Sequence, residues 1–169
     1  MSKHVQKPLE VKEVPGISAK TLEIHHGKLY AGYVNKRNEI EEKLKTVDFS
    51  TANQTYSDVR GLKHEETFAA NGQILHEYYF AVLGGDGKPT GKIKDAIEKR
   101  WGSWEKFVTE FTATGMAARG WAILAFDWSD RELHIYAADQ QNQGGVWGCQ
   151  PLLAMDVYEH SYFIDHGSD

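Results

Sequence analysis

The chain has little of the residue types that would tie or break it. A single cysteine, Cys149, among 169 residues excludes an internal disulfide framework. It fits a reducing compartment, and a cytoplasmic location is the expectation. Four prolines leave long stretches free to be helical. No apolar run approaches the ~20 residues that span a bilayer, so no membrane partner is expected. Met1-Ser2-Lys3-His4 lacks the apolar stretch of a secretory signal. An excess of positive charge is missing too: 19 basic against 24 acidic residues leave a net charge of −5. That removes the basic footprint of a nucleic-acid binder. What is present is an aromatic content of 12%, too rich for a disordered chain, and eight histidines. A chain of this length forms one domain, or two small lobes sharing a core.

Pro15-Gly16 separates a polar, loose arm from the first long helical stretch, and Ser18 stands as its N-cap. From Ala19 to about Leu44 there is no proline, and Leu22, His25, Leu29, Tyr33 and Val34 recur at helical steps. A second helix is expected from about Glu65 to Leu83, adjusted near Asn71-Gly72. The stretch Gly84 to Gly91 carries four glycines and Pro89 and marks a boundary. Helical pieces at 92–100 and 103–116 come next. The period then changes: 121–128 and 132–137 read as two strands joined by Ser129-Asp130-Arg131, and 151–155 as a third. A short helix carrying Glu159, His160 and Phe163 closes the pattern. The fold class is α+β, an N-terminal long helical hairpin plus a C-terminal helical segment with a three-stranded antiparallel β-sheet. The expected units are 1–84 and 92–169.

The histidines fall into two groups. His4, His64, His134 and His166 lie in polar surroundings and read as solvated, and His26 is a helical neighbour. His25, His76 and His160 lie on or beside core-facing elements, and Asp156 precedes His160 by four residues. Each alone reads most simply as a core histidine satisfied by a hydrogen bond. Four together in an apolar setting are costly unless shared, because an unpaired buried polar group costs about 1–3 kcal/mol. Imidazole and carboxylate suit Mn, Fe or Zn, and the lack of a second cysteine argues against a thiolate zinc site. Spacing leaves the core and metal readings equally open.

Four blocks carry a resemblance. They are Ile24-His25-His26-Gly27-Lys28-Leu29-Tyr30-Ala31-Gly32-Tyr33-Val34-Asn35, Asn71-Gly72-Gln73-Ile74-Leu75-His76-Glu77-Tyr78-Tyr79-Phe80, Gly120-Trp121-Ala122-Ile123-Leu124, and Pro151 to Tyr162 with its Asp156-Val157-Tyr158-Glu159-His160 core. In this order they resemble the iron/manganese superoxide dismutases. The resemblance implies metal ligands His25, His76, Asp156 and His160, with a solvent molecule completing the site. It also implies Tyr33 as a gateway residue at the substrate channel. The reaction implied is disproportionation of superoxide to dioxygen and hydrogen peroxide. Iron members typically place a glutamine four residues before the second histidine ligand, where this chain has Gly72. Manganese members supply it from the loop after the second strand, where Gln141 stands, with Gln140, Gln143 and Gln73 as alternatives. The implied cofactor is Mn, or else Fe.

The chain departs from the family pattern in several places. Ile123, Phe80 and Tyr158 stand where the family has tryptophan, and Tyr158 then needs a hydroxyl partner. A histidine and a tyrosine that bond across family dimers are replaced by Leu29 and Phe163. Both partners have become apolar together, which can be nearly neutral for stability. The implied homodimer therefore has Leu29, Glu159 and Phe163 at its interface, with Glu159 reaching His160 of the partner. The family pattern continues through a further helix after Asp165, whereas this sequence stops at Asp169, either as a shortened variant or because the sequence ends early; the remaining apolar face would then need another cover, such as an oligomer contact. Two rival readings stand beside the enzyme: a catalytically inactive metal-binding dimer of the same fold, and a non-redox metal-dependent enzyme.

Overall fold

The structure is a computed structural model and describes residues 3–168. A helix begins at α1 (Ala19–Ile24), where the Ser18 hydroxyl accepts from the Thr21 N–H as N-cap. It widens into a π-helical turn (His25–Tyr30) and continues as α2 (Ala31–Leu44). In the π-turn the Ala31 N–H reaches back five residues to the His26 carbonyl. The extra residue moves the buried line. A regular helix would carry the core face from His25 through Leu29 to Tyr33. Here it runs from Leu22 and His25 to Tyr30 and Val34, while Leu29 and Tyr33 are half-buried.

A short 3₁₀ turn (Phe49–Thr51) leads to α3 (Asp58–Ala81). Ser57 caps α3 by accepting from the Arg60 N–H, so the helix starts well before the expected position 65. It also runs unbroken through Asn71-Gly72, correcting the expected adjustment there. α2 and α3 form the hairpin. α4 (Gly91–Trp101) and α5 (Trp104–Ala117) come next, and the sheet comprises β1 (Trp121–Asp127), β2 (Glu132–Ala138) and β3 (Cys149–Asp156). β3 is longer at both ends than its apolar run Pro151–Met155 suggests. All pairings are antiparallel in the order β2-β1-β3, with a register shift at Leu124/Ala125 on the β3 side. A 3₁₀ turn (Glu159–Ser161) and α6 (Phe163–His166) complete the α+β fold. No helix of the described residues is long and apolar enough to cross a membrane.

β1 is the central strand and is buried on both faces, which is why its sequence is a continuous apolar run rather than an alternation. Trp121, Ile123 and Ala125 pack with Leu22, Tyr30, Val34, Leu75, Tyr79 and Phe80 from the hairpin. Ala122 and Leu124 pack on the other side with Ile97, Phe107 and Phe111 from α4 and α5. The sheet therefore joins two cores, and the hairpin core holds the site.

The N-terminal segment is not the loose arm expected. His4 exchanges two hydrogen bonds with Asn38 and its Nε2 lies 2.8 Å from Glu41. The Lys7 N–H donates to the Tyr30 hydroxyl and its Nζ pairs with Glu77 at 2.6 Å. At the other end, Asp165 accepts from the Ser18 N–H and the Thr21 hydroxyl, and His166 Nε2 lies 2.7 Å from the Gly16 carbonyl. His134 Nε2 lies 2.8 Å from Asp130. Of the four histidines that read as solvated, His64 and His166 are exposed as expected, whereas His4 and His134 are partly buried against Glu41 and Asp130. His4 finds its partner 37 residues away and His134 four residues back across a turn, neither of which their immediate neighbours reveal.

Candidate metal centre

Four side chains converge where the π-turn, α3 and the end of β3 meet. One ligand atom from each of His25, His76, Asp156 and His160 lies within 4.8 Å of every other. Asp156 Oδ2 is the hub, 3.1 Å from His25 Nε2, 3.2 Å from His160 Nε2 and 3.6 Å from His76 Nε2. His25 and His76 are fully buried and Asp156 nearly so, while the His160 side chain is 30% exposed. The cluster is thus closed on three sides and reachable on the fourth.

The surroundings of His76 fix its tautomer. Its Nδ1 lies 2.6 Å from the Gly72 carbonyl, an acceptor only, so Nδ1 carries the hydrogen. Nε2 is then a buried lone pair aimed into the cluster with no hydrogen-bond partner. A cation satisfies that atom, and a backbone carbonyl behind a ligand histidine is the usual means of fixing such a ring. Burial pulls the His76 pKa down to about 4, with Asp156 the main opposing influence. It is therefore neutral and able to ligate at physiological pH. Asp156 is pushed upward by its own burial, but hydrogen bonds from His160 and His25 and their charges hold it at about 2. Three imidazoles and a carboxylate form a donor set that fits Mn, Fe or Zn.

Around the cluster lies an aromatic shell. Phe80 packs edge-on to His25 at 5.0 Å and tilted to His76, Trp121 meets His76 edge-on at 5.1 Å, and Tyr30 stacks on His76 at 6.1 Å. Phe80 and Ile123, which replace tryptophans in the family pattern, are both buried. Apolar bulk is therefore kept at both positions.

Tyr33 and Gln141 stand beside this cluster. The Gln141 side chain is buried; its Nε2 donates to the Tyr33 hydroxyl at 2.9 Å, and its Oε1 accepts from Trp121 Nε1 at 2.5 Å. These two bonds fix the amide orientation. Gln140 and Gln143 point to the surface, joined to each other only through a backbone bond. Gln73 is buried but turned away, donating to Glu77 and accepting from Arg37. Burial is the largest influence on the Tyr33 phenol and raises its pKa, with the Gln141 hydrogen bond pulling the other way. Gly72 has a reason beyond helix geometry: a Cβ there would overlap the Tyr33 ring.

Tyr30 and Glu77 are not evident from the sequence. Tyr30 donates to Glu77 at 3.1 Å, and Glu77 also receives Gln73 Nε2 and Lys7 Nζ, so a half-buried carboxylate sits directly behind the His76 turn. Spacing does not show this, because Tyr30 joins the core face only through the π-turn. The one available signal is Glu77 itself, an acidic residue next to the apolar Tyr78-Tyr79-Phe80.

A cleft of about 560 Å³ opens onto this centre. Tyr33 and His160 line it, with Leu29, Phe68 and Leu62 as apolar wall and Lys28, Lys36, Lys43 and Glu65 as its charged groups. Glu159 and Phe163 are exposed next to His160.

Comparison with known proteins agrees with this arrangement. The family model for iron/manganese superoxide dismutases, alpha-hairpin domain, matches residues 8–84, and the model for their C-terminal domain matches residues 89–169. The protein named superoxide dismutase (Fe) of Aquifex pyrophilus is 42% identical over 163 residues, covering 94% of this chain and 76% of the relative. Superoxide dismutase (Mn) 1 of Halobacterium salinarum is 37% identical over 158 residues, covering 92% and 77%. Superoxide dismutase (Fe) of Cupriavidus metallidurans is 39% identical over 168 residues, covering 96% and 83%. With both halves matched by the family models, the chain belongs to the iron/manganese superoxide dismutase family.

Proposed function

We propose that this chain is a superoxide dismutase, with His25, His76, Asp156 and His160 as metal ligands and Tyr33 and Gln141 as the groups that serve the substrate. The observation that carries the reading is the unpartnered Nε2 of His76 within a buried three-histidine, one-aspartate cluster. An ion held by these four residues would supply the one-electron exchange that the reaction needs. The overall reaction consumes two superoxides and two protons and yields dioxygen and hydrogen peroxide, so the protein's own work is to admit an anion and deliver protons.

Its residues suit both tasks. Lys28, Lys36 and Lys43 give the cleft a positive rim against one acid, Glu65. Lys36 and Lys43 are both paired with Glu39, so Lys28 carries the least compensated charge. Burial keeps the Tyr33 phenol protonated at neutral pH, and Gln141 holds its oxygen in place at the mouth of the site. Tyr33 can therefore donate its hydrogen toward an incoming anion, with Gln141 and Trp121 fixing the line behind it. The aromatic shell excludes bulk water and strengthens each of these interactions.

We assign manganese ahead of iron. The support is a glutamine supplied from the loop after β2 and a glycine at position 72, the pattern of manganese members; relatives of both metals are similar to the chain. We also assign a cytoplasmic homodimer divided into units 1–84 and 92–169. Its support is the exposure of Glu159 and Phe163 beside His160, with Leu29 in the wall of the cleft, and an unpaired Cys149.

Two measurements test this. Separate Mn and Fe reconstitutions are assayed for superoxide disproportionation with metal content measured in parallel. Activity with Mn exceeding that with Fe at equal loading is expected; full loading with no activity under either metal removes the enzyme reading. For the dimer, Leu29→His places a lone polar ring in the proposed apolar contact. Sedimentation should show a weaker dimer, and unchanged dissociation removes Leu29 from the interface.

A further inference from the structure

Tyr158 lies between two ligands in sequence and touches both. Its ring stacks on His160 at 5.4 Å and 14°. Its backbone N–H donates to Asp156 Oδ1 at 3.0 Å, the oxygen not directed at the imidazoles. The hydroxyl leaves the ligand cluster altogether and donates to the Asp139 carbonyl at 3.3 Å. Asp139 is the first residue after β2, two before Gln141. The ring is held at a fixed depth because Gly120 leaves it no spare room: a Cβ there would be 3.0 Å from the Tyr158 ring and 2.9 Å from the Ala138 carbonyl. Trp121, whose indole N–H holds Gln141, meets the same ring edge-on at 6.4 Å.

The loop that carries Gln141 has few other anchors. Besides Gln141, its side-chain ties are Asp139 Oδ1, which accepts from the Arg119 N–H at 3.1 Å, and Asn142, which donates to Thr67 Oγ1 at 3.1 Å and to the His64 carbonyl at 3.4 Å. Residues 143–148 are exposed. The loop is thus pinned upstream at Asp139, whose side chain is held by Arg119 and whose carbonyl is held by Tyr158, and downstream by Asn142, with Gln141 between them spanning Trp121 and Tyr33.

We propose that Tyr158 is a positioning residue for Gln141: stacked on His160 and hydrogen-bonded to the Asp139 carbonyl, it sets the depth at which the 139–143 loop holds the Gln141 amide against Trp121 and Tyr33. The ligand end and the amide end of the site are then joined by one rigid ring, so a displacement of His160 is passed to Gln141. The proposal rests on the metal-site reading above but does not need the chain to turn over superoxide.

The test uses the full chain carrying Tyr158→Phe, which removes one hydroxyl and keeps the ring. In the metal-free protein, amide exchange over residues 139–143 should quicken about five-fold, the protection that one hydrogen bond of ordinary net strength provides. Exchange elsewhere in the sheet should stay unchanged. In metal-loaded protein the midpoint potential should shift, and Tyr158→Phe should add nothing to the shift already caused by Gln141→Ala. Additive effects, or unchanged exchange over 139–143, overturn the proposal. If Tyr158→Phe does not fold, Tyr158→Trp keeps an aromatic ring while displacing the donor, and the same loosening and the same non-additivity are expected. A chain that lacks superoxide activity yet shows the loosened loop removes the functional reading and leaves this one standing.

Discussion

His76 has one nitrogen committed to the Gly72 carbonyl and one with nothing in the protein to bond. Replacing it with alanine should abolish stoichiometric metal binding, and metal analysis of the purified variant checks this. Full retention of metal would remove His76 from the ligand set. Acid should act on the same residue. An unfolded chain protonates this histidine near 6.5, whereas in the folded chain burial delays protonation to about 4. Between those values the unfolded state binds more protons. The stabilisation is therefore complete above pH 6.5 and lost as pH falls toward 4, in all about 3 kcal/mol for the metal-free chain. Asp156, lowered to about 2, acts in the same direction further down the scale. Urea midpoints of metal-free protein across pH 7 to 4 measure the effect, and a flat profile contradicts it. Each ligand is legible in the sequence because its neighbours form a motif. Gln141 is legible only as one of four glutamines, because which amide faces inward depends on the path of a loop rather than on spacing.

The two helices of the hairpin meet at a contact that neither shows alone. α3 presents Gly72 to the Tyr33 ring of α2, and the two surfaces close because no Cβ intervenes. Gly72→Ala improves intrinsic helix propensity by up to about 1 kcal/mol. Against that, the new methyl meets the aromatic ring and must displace it, an overpacking penalty of typically 1–3 kcal/mol. The expected outcome is a lower melting temperature, with Tyr33 moved off Gln141 and a fall in superoxide turnover. A stabilised variant with wild-type turnover would show that the ring has room to move. The hairpin, the three strands and their order of occurrence are all readable from periodicity. The π-turn is not: a 3- or 4-residue repeat assigns Leu29 and Tyr33 to the buried face, and only the widened turn substitutes Tyr30. The early start of α3 at Asp58 is masked by polar residues that read as loop, although Ser57 caps it. His4 reads as solvated only because its partner Glu41 lies 37 residues away.

For the molecule as a whole, a net charge of −5 repels a small anion at long range. The cleft must reverse that field locally, and Lys28 is best placed to do so. Lys28→Glu should slow the second-order reaction with superoxide at low ionic strength by about ten-fold or more, with the difference shrinking as salt is raised toward 0.15 M, where the screening length is about 8 Å. Stopped-flow rates at several ionic strengths measure it, and equal rates for variant and parent at low salt place the entry route elsewhere.

The hub of the site joins residues far apart in the chain: Asp156 lies 131 positions after His25, and Asp165 reaches 144 positions back to Thr21. A ribosome releases His25 and His76 long before Asp156 and His160 emerge. Until then the first helix has neither its carboxylate hub nor its Asp165 clamp, so an ion met by the nascent chain finds half a binding site. Under the proposed ligand assignment the complete donor set exists only once the last strand has docked, so metal selection belongs to the folded chain.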